Sequence, residues 1–124
     1  MLLQLDFSNE TPIYLQIRNQ IVLGIANGSL AAGDKLPAIR TLADESGINM
    51  MTVNKAYQLL KQEGYISTDR RSGAVVAGQR QAGLEGKALQ SLRLLVSEAK
   101  LSGLTREEML LLCAQVYDEL EVGS

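Results

Sequence analysis

Apolar residues in the first part of the chain recur first at helical and then at strand-like spacings. Ile13, Ile17, Ile21 and Ile25 stand four apart behind Pro12, one stripe of an amphipathic helix predicted from Pro12 to Ala26, with Thr11 in the capping position. Asn27-Gly28 ends that helix. Ala32-Gly33-Asp34 then makes a turn, and Pro37 biases Leu36 away from helix, so Lys35-Leu36 reads as a short extended piece. A second, short helix starts at about Ala38, takes its apolar face from Leu42 and Ala43, and stops at Ser46-Gly47, where glycine reaches the left-handed conformation cheaply. Asn49 caps a third helix, in which Val53, Ala56, Tyr57 and Leu60 recur at three- and four-residue spacing until Gly64. Two helices joined by a tight glycine-containing turn form a helix-turn-helix.

Two strand-prone runs follow, Tyr65–Thr68 and Ala74–Ala77, and Asp69-Arg70-Arg71-Ser72-Gly73 between them has the polarity and glycine of a hairpin loop. A helix-turn-helix followed directly by a hairpin is a winged helix. Beyond Gly78 the composition changes to Gly, Gln, Arg and Ala as far as Gly83, which reads as a short linker. Leu84 to Lys100 then places Ala88, Leu92, Leu95, Val96 and Ala99 on one helix face, and Ser102-Gly103 breaks the pattern. Thr105 with Glu108 makes a capping box. The last helix carries Met109, Leu110, Leu111, Leu112, Cys113, Val116, Tyr117 and Leu120, an apolar surface wider than one neighbouring helix of similar length covers. The predicted fold is mainly α with a small β-hairpin: a winged helix-turn-helix over residues 1–78, a linker over 79–83, and a two-helix C-terminal segment over 84–124.

With 124 residues, 46% of them apolar, the chain fits one compact unit or a small domain with an appendage, too short for most large catalytic scaffolds. A chain of this size buries roughly two-thirds of its unfolded surface, so no disulfide or metal is needed for stability. Histidine is absent and Cys113 is the single cysteine, which excludes zinc fingers and histidine-dependent triads. Cys113 itself, set in an apolar run, is expected to be a buried small hydrophobe. The carboxylates are scattered, and neither a phosphate-cradling glycine loop nor an activated nucleophile is present, so no enzyme and no cofactor is expected. The N-terminus has no basic start ahead of an apolar core, and no apolar run approaches the roughly 18 residues of a membrane span. A cytoplasmic protein without a membrane partner is the expectation.

A net charge of −2 weighs against a nucleic-acid partner until its distribution is read. Residues 1–78 carry seven basic and seven acidic side chains, so the deficit lies in the tail. Between Thr52 and Arg71 there are four basic residues against two acidic ones. In a helix-turn-helix the second helix lies in the major groove with its N-terminal residues on base edges, which makes Asn49, Met50, Met51, Thr52, Asn54 and Lys55 the candidates. Asparagine pairs bidentately with adenine, threonine and methionine pack on a thymine methyl, and Lys55 suits a phosphate or a guanine. In the wing, Arg70 and Arg71, with Gly73 closing the loop, suit a phosphate or a narrow minor groove. Lys35, on the turn before the second helix, is a candidate phosphate contact.

The run Pro12-Ile13-Tyr14-Leu15-Gln16-Ile17 is followed by Gly28 and Leu30, Gly33-Asp34-Lys35-Leu36-Pro37, Arg40, Leu42-Ala43, Thr52-Val53, Ala56-Tyr57, Leu60 and Glu63-Gly64-Tyr65-Ile66. In order and spacing this resembles the GntR family of transcription regulators, and the two-helix tail resembles the YtrA subfamily by length and helical pattern. The resemblance implies that Arg40, at the start of the second helix, contacts DNA, where the helix N-terminus adds favourable amides. It implies too that the operator differs from those of many relatives, which carry arginines where this chain has Met50 and Asn54. The wing lacks the usual glycine at Arg71 and has Ser72 where a basic residue is common.

So few phosphate-facing cations imply weak binding by one domain, and two copies on a two-fold related site gain by avidity. Leu92, Leu95, Val96 and Ala99 pairing with Met109, Leu112, Val116 and Leu120 of a second chain would bury the tail's apolar excess in an isologous interface; the alternative is that the tail folds back on the winged domain. The expected function is a homodimeric regulator, a repressor, on a palindromic double-stranded DNA operator. The subfamily resemblance implies a transporter operon as its target. A winged-helix protein-docking module is the competing class, separated by salt-dependent DNA binding. No effector-binding domain follows in this sequence, so direct sensing of a metabolite is not expected.

Overall fold

A computed structural model describes residues 3–78 and 83–122. The elements run α1 (Ile13–Ala26), α2 (Ile39–Ser46), α3 (Met50–Gln62), β1 (Ile66–Asp69), β2 (Gly73–Val76), α4 (Gly86–Leu101) and α5 (Arg106–Val122). Of the expected linker only Gly83 falls within the described residues.

Every side chain of the fully buried core comes from the first 76 residues. Ile17 and Ile21 of α1 meet Leu42 and Ala43 of α2, Val53, Ala56, Tyr57 and Leu60 of α3, and Ile66 and Val76 of the hairpin, with Leu36 closing one edge. Burying a leucine or isoleucine of this kind contributes about 1.5–3 kcal/mol each, ample for a small domain without a covalent staple. Ile13 and Ile25, the outer members of the isoleucine stripe, are only partly buried and pack against this core from its rim.

The helix ends follow their caps. Gly47 closes α2 in the left-handed conformation at φ 67°, and the Ile48 amide donates to the Ala43 carbonyl at 3.0 Å. At α1 the cap differs from expectation: Pro12 occupies the N-cap position without a side-chain bond. Thr11 instead donates its amide to Asn9 Oδ1 at 2.9 Å, and its carbonyl accepts from Gln16 Nε2 at 2.8 Å.

β1 and β2 pair antiparallel with Ile66 opposite Val76 and Asp69 opposite Gly73. Both strands are displaced by one residue from the predicted runs because the pairing reaches into the loop at Asp69 and Gly73. One further bond, Ala77 amide to Tyr65 carbonyl at 3.0 Å, extends the ladder to the predicted outer ends. The extended piece at Lys35-Leu36 lies along the other edge of β2, with a bridge from Lys35 to Val75 and a 2.8 Å bond from the Leu36 amide to the Ala74 carbonyl. It covers an edge that would otherwise carry unpaired amides.

Residues ahead of α1 are held by two glutamines one helical turn apart. Gln16 accepts from the Asp6 amide at 2.8 Å and donates to the Asp6 carbonyl at 2.9 Å. Gln20 does the same for Gln4. Leu3 and Leu5 of this segment pack on the core. The tail is built otherwise. α5 lies against both α4 and α1, yet no residue of α4 is buried and most apolar side chains of α5 are exposed. The capping box forms as expected, the Thr105 amide donating to Glu108 Oε1 at 2.9 Å and the Glu108 amide to Thr105 Oγ1 at 3.1 Å. Cys113 departs from expectation: it is exposed, because it lines a groove between α4 and α5 that stays open.

Candidate nucleic-acid interface

The third helix is held rigidly from behind. Val53, Ala56 and Leu60 are fully buried, and the Tyr57 hydroxyl donates to the Pro37 carbonyl at 2.8 Å, tying α3 to the loop that leads into α2. Burial pushes the Tyr57 phenol far above its ordinary range, so this donor stays protonated. At the helix end, Arg18 of α1 grips Glu63 with both Nε and Nη2 at 2.9 Å and lies 5.5 Å from the Tyr65 ring centroid. The bond to Glu63 raises the Arg18 pKa, and the pair fixes α3 against α1. Arg18 is thereby a packing residue.

The exposed face of α3 divides into two sides. Toward α1, Met51, Thr52 and Lys55 line a groove with Pro12, Ile13 and Tyr14, and the Lys55 ammonium sits 4.2 Å from the Tyr14 ring centroid. Toward the wing, Asn54 and Gln58 line a groove with Ala38, Ile39, Thr68 and Gly73. The structure thus sorts the sequence candidates. Met50 and Met51 are exposed, Met51 to 77%, and Thr52 is half-buried between α3 and α1. Asn49 takes the N-cap, its Oδ1 accepting from the Met51 amide at 2.6 Å. That bond occupies half of the carboxamide that a bidentate pair with adenine would need.

Arg40 is exposed on the first turn of α2, whose N-cap residue Ala38 makes no side-chain cap bond, leaving that turn's amides to accept an anion. In the wing, Arg70 and Arg71 are exposed at the tip. Asp69 organises the loop beneath them: its Oδ1 accepts from the Ser72 amide at 2.6 Å and the Arg71 amide at 2.7 Å. These bonds, with a smaller contribution from the charge of Lys35, hold the Asp69 carboxyl below its usual range. Gly73, at φ 69°, supplies the left-handed residue of the turn, and no non-glycine residue needs one. Arg71 therefore replaces the usual glycine without strain. Lys35 is exposed on the strand-like segment bridged to β2, on the same wing as the two arginines.

Gln58 and Thr68 belong to this surface and were not among the sequence candidates. Gln58 could have been found, standing one turn beyond Asn54; Thr68 has no sequence signal, since only the folded hairpin brings it to α3.

The tail candidates also fall into two sets. Leu92, Val96, Ala99 and Met109 line a predominantly apolar groove between α4 and α5, with Leu104 and Cys113. Leu95, Leu112 and Val116 are exposed outside that groove, and Leu120 is partly buried. Among the described residues no helix is long and apolar enough to cross a membrane.

A short helix, a glycine turn, a groove-facing helix and a basic hairpin on one surface define a helix-turn-helix transcriptional regulator of the winged type. The family model of bacterial regulatory proteins of the gntR family matches residues 13–76, more than half of the chain. The chain belongs to the GntR family, and to its YtrA subfamily. It is 36% identical over 112 residues to the HTH-type transcriptional repressor YtrA of Bacillus subtilis, covering 87% of this chain and 86% of that protein. The solved structure of YtrA from Sulfolobus acidocaldarius, a GntR-family transcription factor, is 40% identical with a TM-score of 0.67, over 82% of this chain and 99% of that one. A Listeria monocytogenes structure described as a transcriptional antiterminator superposes with a TM-score of 0.77 at 29% identity, over 97% of this chain and 92% of that one. That match takes in the tail helices as well as the wing. The DNA-binding domain of AraR, solved in complex with operator ORE1, matches 62% of this chain and 94% of its own at a TM-score of 0.52 and 25% identity.

Proposed function

We propose that this regulator is a homodimeric repressor that occludes a palindromic operator, each winged domain taking one half-site and the α4–α5 segments joining the two chains. One observation carries the reading. α4 and α5 expose Leu94, Leu95, Leu111 and Tyr117 to between 57% and 66%, and the apolar groove between the helices lies open beside them. Apolar surface exposed on this scale beside an open apolar groove supports an association site. A second copy of the same helices covers it by an isologous contact in which Leu92, Leu95, Val96 and Ala99 of one chain meet Met109, Leu112, Val116 and Leu120 of the other.

DNA recognition follows from the α3 face and the wing. Met51, Thr52 and Asn54 meet base edges, and Arg40, Lys35, Lys55, Arg70 and Arg71 neutralise phosphates on either side. The AraR complex supports the docking mode, since that domain shares the fold and is bound to an operator. Repression is supported by the likeness to the Bacillus subtilis repressor, and a transporter operon is proposed as the target on the subfamily resemblance alone.

Binding-site selection from random duplex DNA tests the reading, with titration of the enriched site at two salt concentrations and the bound stoichiometry recorded. The expected result is an inverted repeat bound by two chains, half-site centres about one helical turn apart. Enrichment of no sequence by protein shown to be folded, or one chain per site, overturns it.

A further inference from the structure

Residues Met51, Asn54, Lys55 and Gln58 stand at i, i+3, i+4 and i+7 on α3, the spacing of one helix face, and all four are exposed. That face is the one opposite the buried Val53, Ala56 and Leu60. Among its polar members, Lys55 turns away toward α1, where its ammonium rests over the Tyr14 ring. Asn54 and Gln58 turn the other way, into the groove shared with Thr68 and Gly73 of the wing. Among the described residues neither carboxamide takes a hydrogen-bond partner, in contrast to Asn49, whose Oδ1 is committed to its helix cap.

The geometry points to Gln58 as a second base-reading residue beside Asn54, each specifying an adenine on the same half-site; this rests on the operator-binding reading above. A carboxamide oxygen accepts from the adenine N6 amino group while its NH2 donates to N7, so Asn and Gln share one preferred base. Four residues of helix rise span about 6 Å. Successive base pairs are stacked about 3.4 Å apart. Side chains one turn apart on a helix running along the groove therefore reach pairs about two steps apart, with Met51 a turn earlier placed to meet a thymine methyl. Gln58 is one methylene longer than Asn54, which compensates for its place further from the helix N-terminus, where a recognition helix begins to leave the groove.

The experiment is binding-site selection with the full chain, repeated with Asn54→Ala, Gln58→Ala and Gln58→Glu. The wild type is expected to enrich a half-site with two A·T pairs about two steps apart. Gln58→Ala should flatten the preference at one of them and leave the other, Asn54→Ala the converse. Each lost adenine contact should reduce affinity for the selected site about tenfold, within the range for a bidentate base pair. Gln58→Glu should move the preference at that one position toward cytosine, whose N4 donates to a carboxylate. Both Gln58 variants alter an exposed side chain, and unchanged melting confirms that they fold. A Gln58→Ala profile identical to wild type, or an equal loss on every sequence as a phosphate contact would give, overturns the inference while the operator reading stands. No enriched sequence for the wild type overturns the operator reading itself, and this inference with it.

Discussion

The winged domain and the tail contain similar proportions of apolar residues and treat them in opposite ways. In the first, Ile17, Ile21, Leu42, Val53 and Leu60 are shielded completely. In the second, α4 and α5 hold good helical geometry and a complete capping box but no buried side chain on α4 at all. Local signals, the Thr105–Glu108 box among them, mark where the tail helices begin and end, but they bury little of its apolar surface. One region carries its own buried core, and the other leaves its apolar side chains exposed.

The largest effects should come from the domain's core. Leu42→Ala or Leu60→Ala should cost about 2–5 kcal/mol, the range for deleting a fully buried leucine, and should lower the thermal midpoint and abolish DNA binding together. Next come the tail substitutions. Leu95→Asp with Leu112→Asp should leave the winged domain's circular dichroism and melting intact while shifting sedimentation toward the single chain. Operator affinity should fall about 100-fold or more as avidity is lost. A tail doublet that unfolds the winged domain would break the contrast, since the two regions would then share one core.

Smaller still are the wing arginines. Arg70→Ala or Arg71→Ala should weaken binding evenly across sequences and reduce the salt slope by about one, measured by titration at several salt concentrations. A sequence-dependent loss would place these side chains on base edges instead. The smallest effect is that of acid. Asp69 in the wing and Glu108 in the tail are held below their usual carboxyl ranges, Asp69 first by the Ser72 amide and Glu108 first by the Thr105 amide. A carboxylate whose folded pKa is depressed contributes stability fully present above its unfolded pKa and lost as pH falls through the folded one. Both turns should therefore be indifferent to pH near neutrality and loosen only in strong acid. Side-chain titration by NMR should give midpoints below those of free carboxylates, and midpoints at or above them would remove these bonds from the account.

Much of this architecture was legible in the chain because it rests on periodicity and punctuation. The isoleucine stripe, the Gly47 turn, the Asn49 cap and the Thr105–Glu108 box are each set by residues within one or two turns of each other. The misplaced features are those decided by distant partners. Strand boundaries moved by a residue because Asp69 and Gly73 joined the pairing. The cap of α1 fell to Pro12 because Thr11 is drawn into the segment gripped by Gln16, and glutamine-to-backbone pairing leaves no periodic signature. Lys55 stacks on Tyr14, a contact between residues 41 positions apart that no local rule anticipates. The apolar run around Cys113 predicts burial, yet Cys113 is exposed at the open groove between α4 and α5. Gln58 is legible from its spacing to Asn54, but it lies past the N-terminal half of the helix, where base contacts are expected.

The division of labour between the two regions is tested most directly by native mass spectrometry of the full chain, free and with the selected operator duplex. The account predicts a species of twice 13.5 kDa that stays paired on the duplex, and a single chain once Leu95→Asp and Leu112→Asp are introduced. A wild-type protein that is a single chain at micromolar concentration and binds one chain per operator would contradict it.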